Sequence, residues 1–278
     1  MTSTTTQYLA VANNLARFQK TEANKPAVKL ATAYYQANIG KVTSISQFVG
    51  NYRLLSYALQ AYGLGDQINN KALITQVLQE GTTSSNALAN TLPNAAWKAF
   101  ANAFNFSATG SSAPTSSTSV ATTTADYVEQ QLEADQGAMD PGVQLALYFQ
   151  RVAPTITSGY SVLADKNLTE IAQTIFNLPA GTSSSQIDKE AAALKTLMPV
   201  SELQNPAKLK SLVERFTATY DLDYGPGGAD ANTPLTVANG NTTSTVSAAS
   251  SVLSGLLSSN ATASNFASIL SSLALGGS

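Results

Sequence analysis

One block of this chain occurs twice. Tyr34-Tyr35-Gln36 returns 114 residues further on as Tyr148-Phe149-Gln150, and at the same spacing Val42-Thr43-Ser44 returns as Ile156-Thr157-Ser158. The apolar positions that follow keep step: Phe48 with Val162, Val49 with Leu163, Leu54 with Leu168, Ala58 with Ala172, Tyr62 with Phe176 and Leu64 with Leu178. Upstream, Pro26-Ala27-Val28-Lys29-Leu30-Ala31 resembles Pro141-Gly142-Val143-Gln144-Leu145-Ala146 after a one-residue change of length. Downstream, Phe100 and Phe104 match Phe216 and Tyr220 after a two-residue insertion. Unrelated amphipathic helices share a period but not their flanking signals, whereas here residue class keeps its order over a whole unit. A module that cannot bury its apolar side alone buries it against a neighbour. The duplication therefore predicts two related multi-helix units packed as a pseudo-symmetric helical array.

The repeated pattern is helical. Phe48, Tyr52, Leu55, Leu59 and Tyr62 follow one another at intervals of 4, 3, 4 and 3, which places all five on one stripe of a helix over 46–62. Ser44 and Gln47 have capping-box spacing, and Gly63 stands where a helix ends on a left-handed residue. Asp66 is placed to cap the next helix, with Ile68, Leu73, Ile74, Val77 and Leu78 inward and Gly81 as its stop. Asn94 precedes a further helix whose aromatic stripe is Trp97, Phe100 and Phe104. Asp140-Pro141 and Asn205-Pro206 each set a capping side chain before a proline at the first helical position. No alternating strand of useful length appears, so the expected fold is all-α.

Composition shifts divide the chain. Residues 1–106 read as the first helical unit with its N-terminal helix. Ser107 to Thr124, rich in Ser and Thr, lacks the apolar groups that would offset its ordering entropy and reads as a linker or loop. Residues 125–222 read as the second, diverged unit, and residues 223–278 as a Gly/Asn loop followed by a Ser/Ala/Leu-rich, low-complexity helical tail. The apolar repeats Tyr8/Val11/Leu15/Phe18 and Val252/Leu256 with Phe266/Ile269/Leu273 permit terminal helices to pair between molecules. Capping of the chain's own core is the simpler use of them.

Chemistry is narrowly bounded. The 278 residues include no His and no Cys, which removes the commonest general base, the commonest metal ligand, the thiol nucleophile and any disulfide. No serine stands in a Gly-x-Ser-x-Gly elbow or a Ser-x-x-Lys pair, and no phosphate-binding or dinucleotide glycine loop is present. Asp221-Leu222-Asp223 has the opening of a calcium loop, but Gly225, Pro226 and Asn232 occupy the fifth, sixth and twelfth places, which reads as a helix exit. No catalytic, cofactor-binding or metal residue is assigned. A net charge of −2 without a Lys/Arg run argues against nucleic acid. The first seven residues lack the basic and apolar regions of a signal peptide, and no apolar run is long enough to span a membrane. Only 12% of residues are charged, against about 25% in ordinary domains. A surface of Ser, Thr, Asn, Gln and Ala leaves few charges to desolvate and suits a subunit that packs against other proteins or its own copies.

The stretch from Tyr34 to Ile45 (Tyr-Tyr-Gln-Ala-Asn-Ile-Gly-Lys-Val-Thr-Ser-Ile), the run Tyr52-Arg53-Leu54-Leu55-Ser56-Tyr57-Ala58-Leu59, then Tyr62-Gly63-Leu64, Leu78-Gln79-Glu80-Gly81 and Phe100-Ala101-Asn102-Ala103-Phe104-Asn105-Phe106 together resemble a domain-of-unknown-function family. Its members are often encoded inside flagellar gene clusters of alphaproteobacteria. The second copy departs from the motif, with Lys166-Asn167-Leu168 in place of Tyr-Arg-Leu and Asn177 in place of the glycine. The resemblance implies flagellar association and carries no catalytic residues.

Residues expected to carry the motif and the core are Tyr35, Phe48, Tyr52, Arg53, Leu55, Leu59, Tyr62, Gly63, Trp97, Phe100 and Phe104. Arg53 is expected to pair with a carboxylate or to solvate an exposed face. The expected function is a non-enzymatic structural or assembly component, located at the flagellum or in the cytoplasm, with other proteins as partners and self-association possible. A cytoplasmic chaperone or regulator of flagellar export is the alternative, ahead of an enzyme or small-ligand binder.

Overall fold

The computed structural model describes residues 2–110, 115–178 and 186–225, and among these every regular element is helical. The expected Gly/Asn loop and Ser/Ala/Leu tail lie, beyond Gly225, outside the described residues. In chain order the helices are α1 (Thr4–Ala12), α2 (Leu15–Ala23), α3 (Pro26–Ile39), α4 (Ile45–Gly50), α5 (Tyr52–Ala61), α6 (Lys71–Glu80), α7 (Leu88–Thr91) and α8 (Ala96–Ala103). They continue as α9 (Phe106–Thr109), α10 (Ser117–Gly137), α11 (Pro141–Val152), α12 (Gly159–Leu163), α13 (Lys166–Phe176), α14 (Ile187–Leu197), α15 (Val200–Leu203) and α16 (Pro206–Tyr224).

The side chains gather into two cores. The first is built on Tyr35, Phe48, Leu54, Leu55, Leu59, Ile74, Leu78, Phe100 and Phe104, and the second on Phe149, Ile171, Ile175, Leu194, Val213 and Phe216. The long helix α10 serves both. Tyr127 and Val128 belong to the first core and Leu132, about one turn later, to the second.

The sequence recurrence is matched by local structure. Ser44 accepts a hydrogen bond from the Gln47 amide (3.2 Å) to open α4, and Ser158 accepts from Ser161 (3.3 Å) to open α12. Asn51 caps α5 through the Leu54 amide (3.2 Å), and Asp165 caps α13 through Leu168 (3.0 Å). At the far ends Gly63 (φ 70°) and Asn177 (φ 50°) adopt left-handed backbone. There the Leu64 amide reaches back to the Leu59 carbonyl and Leu178 to Gln173, the closure expected of a Schellman stop. Gly81 ends α6 with a positive φ as well (64°), but with ψ −144°, a backbone region open to glycine.

Several expectations are corrected. The helix over 46–62 is two helices, because Asn51 leaves helical geometry (φ −87°, ψ 95°) to cap α5 after Gly50 has ended α4. The stripe breaks with it: Phe48, Leu55 and Leu59 are fully buried, but Tyr52 is 63% exposed. Gln47 reaches back not to Ser44 but to the Thr43 amide (2.9 Å). Asp66 does not cap α6. It lies in a single 3₁₀ turn, Gly65–Gln67, and α6 opens at Lys71 after Asn70. The Ser/Thr stretch is only partly a connection, since Ser117 to Thr124 are the first two turns of α10. Ser119 donates to the Ala103 carbonyl (2.9 Å) there, and Thr123 is fully buried.

The N-terminal helix is placed against the second half rather than the first. Tyr8 and Val11 are buried in the second core, the Thr4 hydroxyl donates to Asp140 Oδ2 (2.9 Å), and the Thr4 amide donates to Asp221 Oδ1 (2.8 Å). The one-residue length change between Pro26 and Pro141 falls inside continuous helices. It rotates the two proline blocks by about 100° relative to the aromatic pair, so Leu30 is 67% exposed while Leu145 is 8% exposed.

Candidate functional site

Most of the motif residues are structural. Tyr35 stacks on Tyr57 (4.5 Å between centroids), and Phe48 packs on Phe104 (4.9 Å) and Phe100 (6.5 Å). Trp97 meets Phe100 edge-on. These rings, with Leu55 and Leu59, form the first core and are closed to any partner. Arg53 is exposed and finds no carboxylate among the described residues; its guanidinium lies 3.5 Å over the Tyr34 ring, and its neighbour in sequence, Tyr52, is exposed too. A guanidinium and its supporting ring thus share one patch of surface at the start of α5, where Tyr52 is also exposed.

Tyr62 and Gly63 reach a second place, where the two cores meet. A cavity of about 280 Å³ opens there, walled by the end of α5, the start of α8, one face of α10, the second half of α11 and the start of α13. Its polar wall is Asp126, Glu129 and Gln130 from α10, Tyr148 and Arg151 from α11, and Asp165. Three carboxylates of α10, Asp126, Glu129 and Glu133, lie on one helical face by their three- and four-residue spacing.

Arg151 is held in two prongs by Glu133, with Nε to Oε1 at 2.6 Å and Nη2 to Oε2 at 2.9 Å. The Gln130 amide oxygen, turned toward the guanidinium, accepts from Nη1 (3.2 Å) and Nη2 (2.6 Å). Burial works against the Arg151 charge, but the Glu133 hydrogen bonds and the surrounding carboxylates overcome it and hold the guanidinium above its usual range. Asp126 and Glu129 are both pushed up by burial, with Arg151 opposing part of the effect. Tyr148 donates a short hydrogen bond to Asp165 and is raised by burial first and by that acceptor second. The corresponding pair in the first half is Tyr34 with Asn51 (3.5 Å), where the acceptor is neutral.

Beyond Tyr62, Gly63 and, as a member of the repeat, Tyr148, none of these polar cleft residues stands out in the sequence. The available signal was the carboxylate spacing 126, 129, 133, obscured because the helix carrying it begins inside a Ser/Thr tract. Among the described residues no group of three or more His, Cys, Asp or Glu is arranged to hold a metal ion. No described helix is long and apolar enough to cross a membrane. The calcium-like opening is otherwise engaged, since Asp221 accepts from the Thr4 and Thr5 amides and joins α16 to α1.

Fold and site define an all-helical protein of two cores sharing one long helix, with a polar cleft at their junction. The family described as "Protein of unknown function (DUF1217)" matches residues 61–209, more than half of the chain, and the protein belongs to that family. Its fold is similar to the X-ray crystal structure of protein AGR_C_984 from Agrobacterium tumefaciens. The two are 36% identical over 78% of this chain and 92% of that one, with a TM-score of 0.72. A comparison with curated proteins finds no match.

Proposed function

We propose that this is a non-enzymatic, flagellum-associated protein that acts as a structural or assembly component through protein–protein contacts. The observation that carries the reading is Tyr52. It sits in the motif run that resembles flagellar-cluster proteins, its stripe neighbours are buried, and yet it stands 63% exposed, next in sequence to Arg53, whose guanidinium lies over Tyr34. Exposed Tyr and Arg on a rigid helix start are the residue types that dominate binding energy at protein interfaces. Support comes also from a surface poor in charge and from cleft groups spent on one another, Arg151 on Glu133 and Tyr148 on Asp165. In this reading the two related units present separate contact faces, the first through Tyr52 and Arg53. The second lacks both residues, having Lys166 and Asn167 at the matching positions.

The test is fractionation of motile cells before and after flagellar shear, with the wild-type chain and a Tyr52→Ala/Arg53→Ala variant. Recovery of the wild type with sheared filaments, reduced at least about tenfold in the variant by loss of two such anchors, is the expected result. Retention in the cytosol with co-purification of one axial protein would replace it with the export-chaperone or regulator reading. Substrate turnover abolished by one polar substitution would overturn both.

A further inference from the structure

We propose that the cleft between the two cores is an acid-responsive joint, open when Asp126 and Glu129 are ionised and drawn closed when they are protonated. The balance of charge around it is uneven. Among the described residues Arg151 is the one cation on the cavity wall, and it is already committed to Glu133 and Gln130. Asp126 and Glu129 accept no hydrogen bond from a described residue, stand one helical turn apart on α10, and face the same cavity.

The other elements around them bring no relief. From α5 comes the Tyr62 phenol, which points its hydroxyl at Thr123 (3.3 Å), and from α11 the Tyr148 phenol, bound to Asp165. The head of α13 adds the Asp165 carboxylate, and the N-terminus of α8 brings Asn94 and alanines. Lys25, just before α3, is paired with Glu22 and with Asp135, about half a turn around α10 from Asp126. The Tyr35 and Tyr57 rings stack toward Tyr127 on yet another face.

Two like charges at this spacing repel each other and demand water, so the ionised pair favours a wide, hydrated cleft. Neutral carboxyls lose that demand, can donate as well as accept, and let α8 and the α11–α12 turn approach across α10. The raised proton affinity of both groups fixes the sign. A folded form that holds protons more tightly than the unfolded chain is favoured at low pH, and that advantage is lost as pH rises through the folded-state values.

The chain has no cysteine, so Ala95→Cys and Thr155→Cys, which line the cavity from opposite sides, introduce a unique pair for spin labelling. Between neutral pH and an acid pH in the carboxylate range the label-to-label distribution is expected to shorten and narrow. In an Asp126→Asn/Glu129→Gln background it stays at the acid-form distance at both values. The thermal midpoint is expected to rise on acidification in the unlabelled wild type and to flatten in that double variant. A label distance that ignores pH in the wild type, or identical pH profiles of stability with and without the two carboxyls, would overturn the joint.

Discussion

At the residue scale, glycine marks both what the sequence reveals and what it hides. Gly63 ends a periodic apolar run and is readable as a left-handed stop. The backbone confirms it at φ 70°, and a Cβ there would meet only the Gln130 side-chain amide at 3.5 Å. The cost of Gly63→Ala is therefore conformational, about 1–2 kcal/mol. Gly159 carries no such signal in its Thr-Ser-Gly-Tyr context, yet a Cβ there would lie 2.1 Å from the Ala191 carbonyl oxygen, where α12 crosses α14. Backbone cannot step aside as a side chain can, so Gly159→Ala should destabilise by about 3 kcal/mol, more than Gly63→Ala. Urea denaturation of the two variants ranks them, and the reverse order would mean that the α12–α14 crossing yields more readily than drawn. Glu133→Ala belongs at this scale too. Glu133 is 3% exposed, and removing it leaves the Arg151 charge poorly compensated, at a cost of about 3 kcal/mol in the same assay. Arg151→Ala/Glu133→Ala should then lose less than the sum of the two single variants.

At the scale of elements, helix existence was legible and helix continuity was not. Period 3.6 marks an apolar stripe, but it does not register whether the chain pauses within it. Gly50-Asn51 supplied a stop and a cap inside what reads as one helix. The second copy, with Ala164-Asp165 at the same place, shows the break to be a shared feature. The start of α10 failed for the opposite reason. Ser117 to Thr124 have weak helix propensity, and their helix is fixed by tertiary contacts, Thr123 beneath Tyr62 and Val120 against the first core. Because the cleft carboxylates sit on that helix, misreading its beginning hid the site as well. The two caps give a comparison. Asn51→Ala removes the Leu54 cap and a long contact to Tyr34, whereas Asp165→Ala removes the Leu168 cap and the short Tyr148 hydrogen bond. The first should cost about 1 kcal/mol and the second about 2–3 kcal/mol. Equal losses in chemical denaturation would show that the charged acceptor adds nothing over the neutral one.

At the scale of the whole molecule, the question is whether two cores mean two independently melting parts. The recurrence in sequence suggests separable units, but α10 joins them. Tyr127 stacks on Tyr57 at 3.9 Å in the first core, while Leu132 and Glu133 engage the second half about one turn further on. Neither core can open without stripping the same helix, and α1 adds a strap from the chain start to α11 and α16. Unfolding should therefore be a single cooperative transition. Trp97 is the sole tryptophan and lies in the first core, so its fluorescence reports that core alone, while helical circular dichroism reports both. Tyr8→Ala damages only the second core, at a cost of about 3–4 kcal/mol for a buried aromatic that also donates to Gln150 (2.9 Å). If α10 couples the halves, that distant substitution moves the Trp97 transition and the circular dichroism transition together and by the same amount. A Trp97 midpoint that stays at its wild-type value while the helical signal melts early would show that the long helix divides the molecule instead of joining it.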